Sequence, residues 1–441
     1  SGSTFTSTRQ GKQKHNCTAM KSESKSKDRK PDDRIIEITP DVKWIGVLDY
    51  DIVTFDIVME TEFGTTYNSY FINAEKKAVV EAAKDRFSDV QISKLKKLCD
   101  PSEIQYIILD HTEPDHSGNT GRLLELAPDA TVVGSGNMIR YLSDIINKPF
   151  KSIAVKDGDT LSLGNKTLRF IAAPNLHWPD SIFTWLEEDR VLFTCDMFGA
   201  HYCSEEMFND FSEDYFKSFK YYFDVILRPF SRFALKAIEK IKPLDIRFIC
   251  PGHGPVHHRD IERIITLTEE LSREYVEITS GGEVKNVLIA YVSAYGFTGK
   301  MAEIVAEGIK EIPGVKATLL DIENISAGEL DKELMKADAL LVGSPTINQN
   351  TLLPVYRLFA FINPLRDRGK PAGSFGSYGW SGEAPGIIAA ALKGLKLAYF
   401  ENPLTVKFFP GNEKAGLLKE YGRRFGEFVL SQCSGKNLNK E

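Results

Sequence analysis

Beyond Lys285, short buried runs, VLIAY, ATLLD, ALLVGSP and PAGSFGS, alternate with amphipathic helical segments. Met301, Ile304, Val305, Ile309 and Ile312 share one face of a helix over Met301–Ile312, and further helices are expected near Leu353–Phe361, Ala384–Leu395 and Lys414–Leu430. Strands separated by helices in this way predict a doubly wound parallel sheet, expected over residues 284–435. A Ser-Gly-Gly triplet at Ser280 breaks the preceding helix, which places a linker at Thr279–Glu283.

That sheet leaves much of the chain unexplained. At 441 residues the sequence is about three times a typical domain length, so at least one more core is required. Residues 33–280 read as mixed α/β. Strands are expected at Trp44–Val47, Thr54–Val58, Ser69–Ile72, Tyr106–Leu109, Ala130–Val133, Leu168–Ala172, Val191–Thr194 and Ile246–Cys250. Val79, Val80, Ala83 and Phe87 suggest a helix, as do Phe233–Ile241 and Ile261–Val276. Residues 1–32, rich in Ser, Thr and Lys, read as a disordered basic tail, with the part up to about Met20 derived from an expression vector.

Charge and cysteine usage narrow the class further. The tail holds eight Lys or Arg against two acids as far as Lys30, within a chain of net charge −6, so the remainder is acidic and no basic patch for nucleic acid is expected. No stretch approaches the ~18 to 20 apolar residues of a membrane span, and no charged-then-apolar leader opens the chain, so a soluble cytoplasmic protein is expected. Cys17, Cys99, Cys195, Cys203, Cys250 and Cys433 lack C-x-x-C pairing and read mostly as buried thiols.

Of eight histidines, two fall in the run His111-Thr112-Glu113-Pro114-Asp115-His116, directly after the apolar run Tyr106–Leu109. His177 follows LRFIAAPNL, Asp196 follows VLFTC, and His253 sits in the PGHGP turn after IRFIC. Four strand ends thus each deliver metal-type ligands. Imidazoles with a carboxylate able to bridge two cations suit a pair of transition-metal ions, and the oxygen ligands shift preference from zinc towards iron or manganese. His201, His257 and His258 lack this context and are expected at the surface or behind the ligands.

The second half carries a different pattern. After VLIAY, the loop Ser293, Ala294, Tyr295, Gly296, Phe297, Thr298, Gly299 opens a helix, and free N–H groups at such a helix start form a cradle for an anion. No Walker-type Lys-Ser/Thr pair or G-x-G-x-x-G occurs, which argues against ATP and dinucleotides. Two more strand ends converge on the same crevice. One carries Gly343, Ser344, Pro345, Thr346, Ile347 and Asn348; the other carries Ser377, Tyr378, Gly379, Trp380, Ser381, Gly382 and Glu383. Tyr378 and Trp380 offer flat apolar surfaces to a planar ring.

The histidine run resembles the H-x-H-x-D-H signature of the metallo-β-lactamase fold, with Glu113 in place of its second histidine. Together with NLHWPD, CDMFG and PGHGP it is similar to the flavodiiron proteins, or A-type flavoproteins, and the second-half loops resemble the FMN loops of flavodoxin. The resemblance implies an αββα sandwich over 33–280 followed by a flavodoxin-like domain. It implies one iron held by His111, Glu113 and His177, another by Asp115, His116 and His253, and Asp196 as bridge, with His116 the ligand most open to displacement. FMN would pass electrons to this diiron centre, which reduces O2 to water, NO to N2O, or both. The family further implies a head-to-tail homodimer or tetramer. With no C-x-x-C pair present, electrons are expected from a separate donor such as rubredoxin. Tyr221 or Tyr222 could donate a hydrogen bond, with a packed aromatic pair as the plainer expectation. A dizinc hydrolase fused to a flavodoxin is the alternative.

Overall fold

The computed structural model describes residues 32–55 and 59–435. All but the last residue of the expected tail, and Asp56–Val58 of an expected strand, lie outside them. The first two sheets belong to the N-terminal half. A seven-stranded sheet runs in the order Ile36–Glu37, Val42–Trp44, Tyr70–Ile72, Lys77–Val80, Ile104–Ile108, Thr131–Gly134, Lys151–Ala154. A five-stranded sheet follows as Thr160–Ser162, Thr167–Ala172, Ile182–Leu186, Val191–Cys195, Phe248–Pro251.

The two sheets pack face to face. Trp44, Tyr70, Val80, Ile108 and Val133 from the first meet Leu168, Phe170, Leu186, Phe193 and Cys250 from the second in one dry layer. Each outer face is closed by helices: Ile92, Leu95, Leu123 and Leu142 on one side, Tyr215, Phe219, Ala234, Ile238 and Ile264 on the other. This is an αββα sandwich, as expected. Local chemistry starts two of these helices, for Ser135 accepts from Met138 N ahead of Gly136–Ile146 and Ser212 accepts from Tyr215 N ahead of Glu213–Tyr222.

One local expectation fails here. Val79 and Val80 belong to the strand Lys77–Val80, and the helix is Ser88–Leu98. The strand is buried between neighbours, so its apolar run lacks the alternation that separates a strand from a buried helix turn. Likewise the strand expected over Trp44–Val47 is split into Val42–Trp44 and Val47–Asp49. Cys195 and Cys250 are buried thiols, whereas Cys99 and Cys203 are only partly covered.

The helix Ile261–Thr279 ends ahead of the linker, and the strand Lys285–Tyr291 starts the third sheet. Its order is Val315–Asp321, Lys285–Tyr291, Ala339–Gly343, Pro371–Tyr378, Ala398–Tyr399, with Leu404–Lys407 also on Pro371–Tyr378, and every pairing is parallel. Helices cover both faces, giving two cores, one around Met301, Val305, Leu418 and Phe425 and one around Leu330, Leu358 and Ile388. This is the doubly wound flavodoxin-like order. The helices Phe297–Lys310 and Asn412–Gly435 touch backbone to backbone: a Cβ on Gly308 would lie 1.9 Å from Lys419 O, and one on Gly422 2.1 Å from Val305 O. Arg228 reaches across from the first half to Asp331, which also takes Arg366 at 2.9 Å. No helix among the described residues is long and apolar enough to cross a membrane.

Candidate metal centre and flavin crevice

Strand ends deliver the donor atoms. Ile104–Ile108 runs on into His111, and Pro114, whose fixed φ and missing N–H suit a helix start, opens the turn Pro114–Ser117 that carries Asp115 and His116. Val191–Cys195 ends at Asp196, and Phe248–Pro251 ends at Gly252 and His253. Gly252 is required by the fit, because a Cβ there would lie 2.4 Å from His116 Cε1.

All seven residues singled out in the sequence meet in one place, in two groups. Glu113 Oε2 lies 2.9 Å from His177 Nε2 and 3.3 Å from His111 Nε2. Asp115 Oδ2 lies 2.9 Å from His253 Nε2 and 3.5 Å from His116 Nε2. Asp196 stands between them with one oxygen for each. Its Oδ2 is 3.6 Å from His111 Nε2 and 3.5 Å from His177 Nε2; its Oδ1 is 3.2 Å from His116 Nε2 and 3.8 Å from His253 Nε2. Groups able to hold a metal ion are accordingly found as His111, Glu113, His177, Asp196 and as Asp115, His116, His253.

The electrostatics fit cations. Burial favours the neutral form of Asp196, yet the imidazoles of His116, His111 and His177 hold its carboxyl well below the usual range. Burial also opposes a charge on His116, but Asp115 and Asp196 raise its ring to about 9. Burial opposes a charge on His111 as well, but its hydrogen bonds to Asp180 and Glu113 raise the ring well above the imidazole range. Buried ligand atoms with no hydrogen-bond partner, His116 Nε2, Asp115 Oδ2 and Asp196 Oδ2, face this space. Unpaired buried polar atoms are costly, and metal ions would satisfy all of them together.

Residues behind the donors were not foreseen. His111 Nδ1 lies 3.1 Å from Asp180 Oδ1, His253 Nδ1 lies 2.6 Å from Thr66 O, and His116 Nδ1 lies 3.5 Å from Cys195 Sγ. Each contact turns Nε2 inward. Glu81, at the end of the strand misread as helix, and Cys195 form with His116 a third group of possible ligands. Tyr222 is buried and donates to Asp196 Oδ1 at 2.9 Å, whereas Tyr221 is 40% exposed, so the two do not form a packed pair.

His201 and His257 are not surface residues. Both are buried, His201 with Phe55, Tyr222 and His253 around its ring at 4.4, 4.8 and 5.3 Å between centroids. Burial and then the neighbouring His253 push its ring well below the imidazole range, so it stays neutral. His257 bonds Phe198 O and Asn209 and is lowered to about 4 by burial, which makes it structural. His258 is partly exposed, beside Phe208.

The second site lies at the carboxyl ends of the parallel strands. Gly296, at φ +80°, turns the chain into the helix Phe297–Lys310, leaving open space where a side chain would stand. Ser293 Oγ accepts from Gly299 N at 3.0 Å, Thr298 Oγ1 meets Ser377 Oγ at 2.9 Å, and Thr346 N donates to Ser377 O at 2.9 Å. The loops therefore brace one another. Thr346 Oγ1 accepts from Ala384 N at 3.1 Å, while Ser344 donates to Pro345 O and serves its own loop. Asn348 takes a left-handed turn, and Gly379 and Gly382 lie against Phe408 and Tyr378. Glu383 Oε2 is buried without a partner. Tyr295 and Trp380, 80% and 77% exposed, leave two flat rings bare at this rim. Open helix-start N–H groups with uncovered aromatic faces fit a flavin mononucleotide.

Fold and sites together define a lactamase-fold dimetal domain joined to a flavodoxin. Residues 65–254 match the ODP family of beta lactamases and residues 289–419 match flavodoxin. The flavo-diiron protein FprA2 of Clostridium acetobutylicum is 39% identical over 89% of this chain and 99% of its own length. The type A flavoprotein fprA of Rhodobacter capsulatus is 38% identical over 92% of this chain and 93% of its own. Among solved structures, rubredoxin oxygen:oxidoreductase from Desulfovibrio gigas covers 91% of this chain and all of its own, with a TM-score of 0.66 and 28% identity. The chain belongs to the flavodiiron proteins.

Proposed function

We propose that the protein reduces O2 to water, NO to N2O, or both, at a non-haem diiron centre supplied with electrons through FMN. The observation that carries this reading is Asp196, whose two oxygens face two separate N/O donor groups, one of them containing Glu113. His111, Glu113 and His177 would hold one iron and Asp115, His116 and His253 the other, with a carboxylate oxygen of Asp196 offered to each group. When bound, the irons supply open positions and electrons for a diatomic gas, and FMN supplies the two-electron reservoir behind them.

The chain's own residues do the rest. Glu113 and His177 keep side-chain exposures of 16% and 21%, whereas the Asp115, His116 and His253 side are sealed, so gas enters beside Glu113. Phe55 and Tyr67 crowd His253 at 5.3 and 5.9 Å and exclude water there. Burial and the adjacent Asp196 hold the Tyr222 phenol well above its ordinary range, so it keeps its own proton and donates it as a hydrogen bond to Asp196 Oδ1. In the crevice, Ser293, Gly296, Phe297 and Thr298 would seat the phosphate. The loops Ser344–Asn348 and Ser377–Glu383 bracket the ring, with Tyr378 and Trp380 as its flat neighbours.

A cytoplasmic location, a head-to-tail homodimer or tetramer, and a separate electron donor such as rubredoxin complete the proposal. The bare rings of Tyr295 and Trp380 leave the crevice rim open to a partner, and the Desulfovibrio relative is named for rubredoxin. The hydrolase alternative is not favoured, since relatives matching nearly the whole chain are flavodiiron proteins. The test is anaerobic reduction of the purified protein followed by separate additions of O2 and NO, alongside metal analysis. Two irons per chain and consumption of at least one gas are expected. Stoichiometric zinc from cells supplied with both metals would overturn the reading.

A further inference from the structure

The histidines facing the donor space are backed by unlike partners. His253 leans on the neutral carbonyl of Thr66, and His116 on the Cys195 thiol, with Glu81 Oε2 at 3.7 Å, beyond hydrogen-bond distance. His111 alone among these three leans on a carboxylate within hydrogen-bond distance, Asp180, with Oδ1 at 3.1 Å and Oδ2 at 3.3 Å from Nδ1. Asp180 is fully buried and is itself clamped: Oδ2 accepts from Thr112 N at 2.8 Å and from the Thr112 hydroxyl, and its backbone carbonyl accepts from Ser135 Oγ at 2.7 Å. No lysine or arginine pairs with it among the described residues.

A carboxylate accepts only, so Nδ1 of His111 carries a proton; an ion that displaces the second proton, on the Nε2 that faces Glu113, then meets the Nε2 lone pair. Sharing that proton with an anion also makes Nε2 a stronger electron donor. We infer that Asp180 is a positioning residue that fixes the His111 tautomer and sets the reduction potential of the metal centre. Its anion makes the His111, Glu113, His177 half the more electron-rich one and favours the oxidised state there. This rests on the diiron reading above.

The full chain, loaded with FMN and iron, is compared as wild type, Asp180→Asn, Thr112→Val and Ser135→Ala. Ferrous ion is titrated into each metal-free protein, and diiron potentials are followed by electron paramagnetic resonance during redox titration. Asp180→Asn is expected to weaken iron binding by about 10- to 100-fold and to raise the first diiron potential, with FMN content unchanged. Thr112→Val, which strips one competing donor from the carboxylate, is expected to lower the potential. It keeps the test open if Asp180→Asn does not fold. Ser135→Ala, which loses the bond to the Asp180 backbone carbonyl and the cap on Met138 N but touches neither carboxylate oxygen, leaves the potential in place. A purely structural Asp180 would give no shifts of opposite sign, so unmoved potentials in both Asp180→Asn and Thr112→Val overturn the inference. A wild-type protein that binds no pair of irons overturns instead the diiron reading, and this inference with it.

Discussion

The two sites solve opposite problems. The metal centre is assembled from side chains drawn from four strand ends, nearly all buried, with His111, His116 and His253 held from behind. The flavin crevice is assembled from backbone turns at one end of one sheet, with its aromatic rings bare. A cation pair demands fixed donor atoms out of water, whereas a phosphate and a flat ring are met by N–H groups and surfaces that loops can supply. One consequence is that the sites should fail separately.

Glu113→Ala makes the hardest break. It removes the donor shared by His111 and His177, so the loss of O2 and NO consumption should exceed the about 10- to 100-fold that outer partners cost. FMN content, read from absorbance after desalting, should not change; coupled loss of both would undo the separation. Gly296→Val is the mirror experiment. A β-branched residue at φ +80° costs about 1–3 kcal/mol, so the turn relaxes and FMN affinity falls about 5- to 150-fold, while iron content stays.

Acid sharpens the contrast. In the metal-free protein the His116 ring, raised to about 9, holds a proton that an incoming ion must displace. Ferrous affinity should therefore climb with pH through about 9, by as much as tenfold per unit for the His116 proton and further with that of His111, which is also raised, and fall in acid. FMN binding followed over the same range should show no matching slope. The smallest effect is expected from Arg228→Ala, which cuts the ion pair between the halves. Such partly exposed pairs contribute about 0–1 kcal/mol, so thermal unfolding should shift by only a few degrees while both cofactors remain bound.

The same contrast explains what could be read beforehand. Strand-end ligands follow apolar runs, so His111, His177, Asp196 and His253 were legible from local context, and the alternating strands and helices made the parallel sheet legible too. The backing residues were not. Asp180 is 69 positions from the ring it holds, and only the fold brings them together. Glu81 hid at the end of a buried strand whose pattern matches a helix turn. Tyr221 and Tyr222 are adjacent in sequence but about 100° apart around a helix, so one faces solvent and the other Asp196. The burial of His201 and His257 depends on which elements close over them, and that is a property of packing rather than of neighbours in the chain.

The contact at Gly308 and Gly422 carries a mechanical meaning. The helix that begins at Gly296 is locked at its other end to the helix Asn412–Gly435, with no side chain between to act as a cushion. A load applied to the last helix is passed along a rigid rod to Gly296. The helix Asn412–Gly435 is thus a handle on the turn at Gly296, and a tether attached to that helix would tug this turn long before it disturbed the donor side chains of the first half.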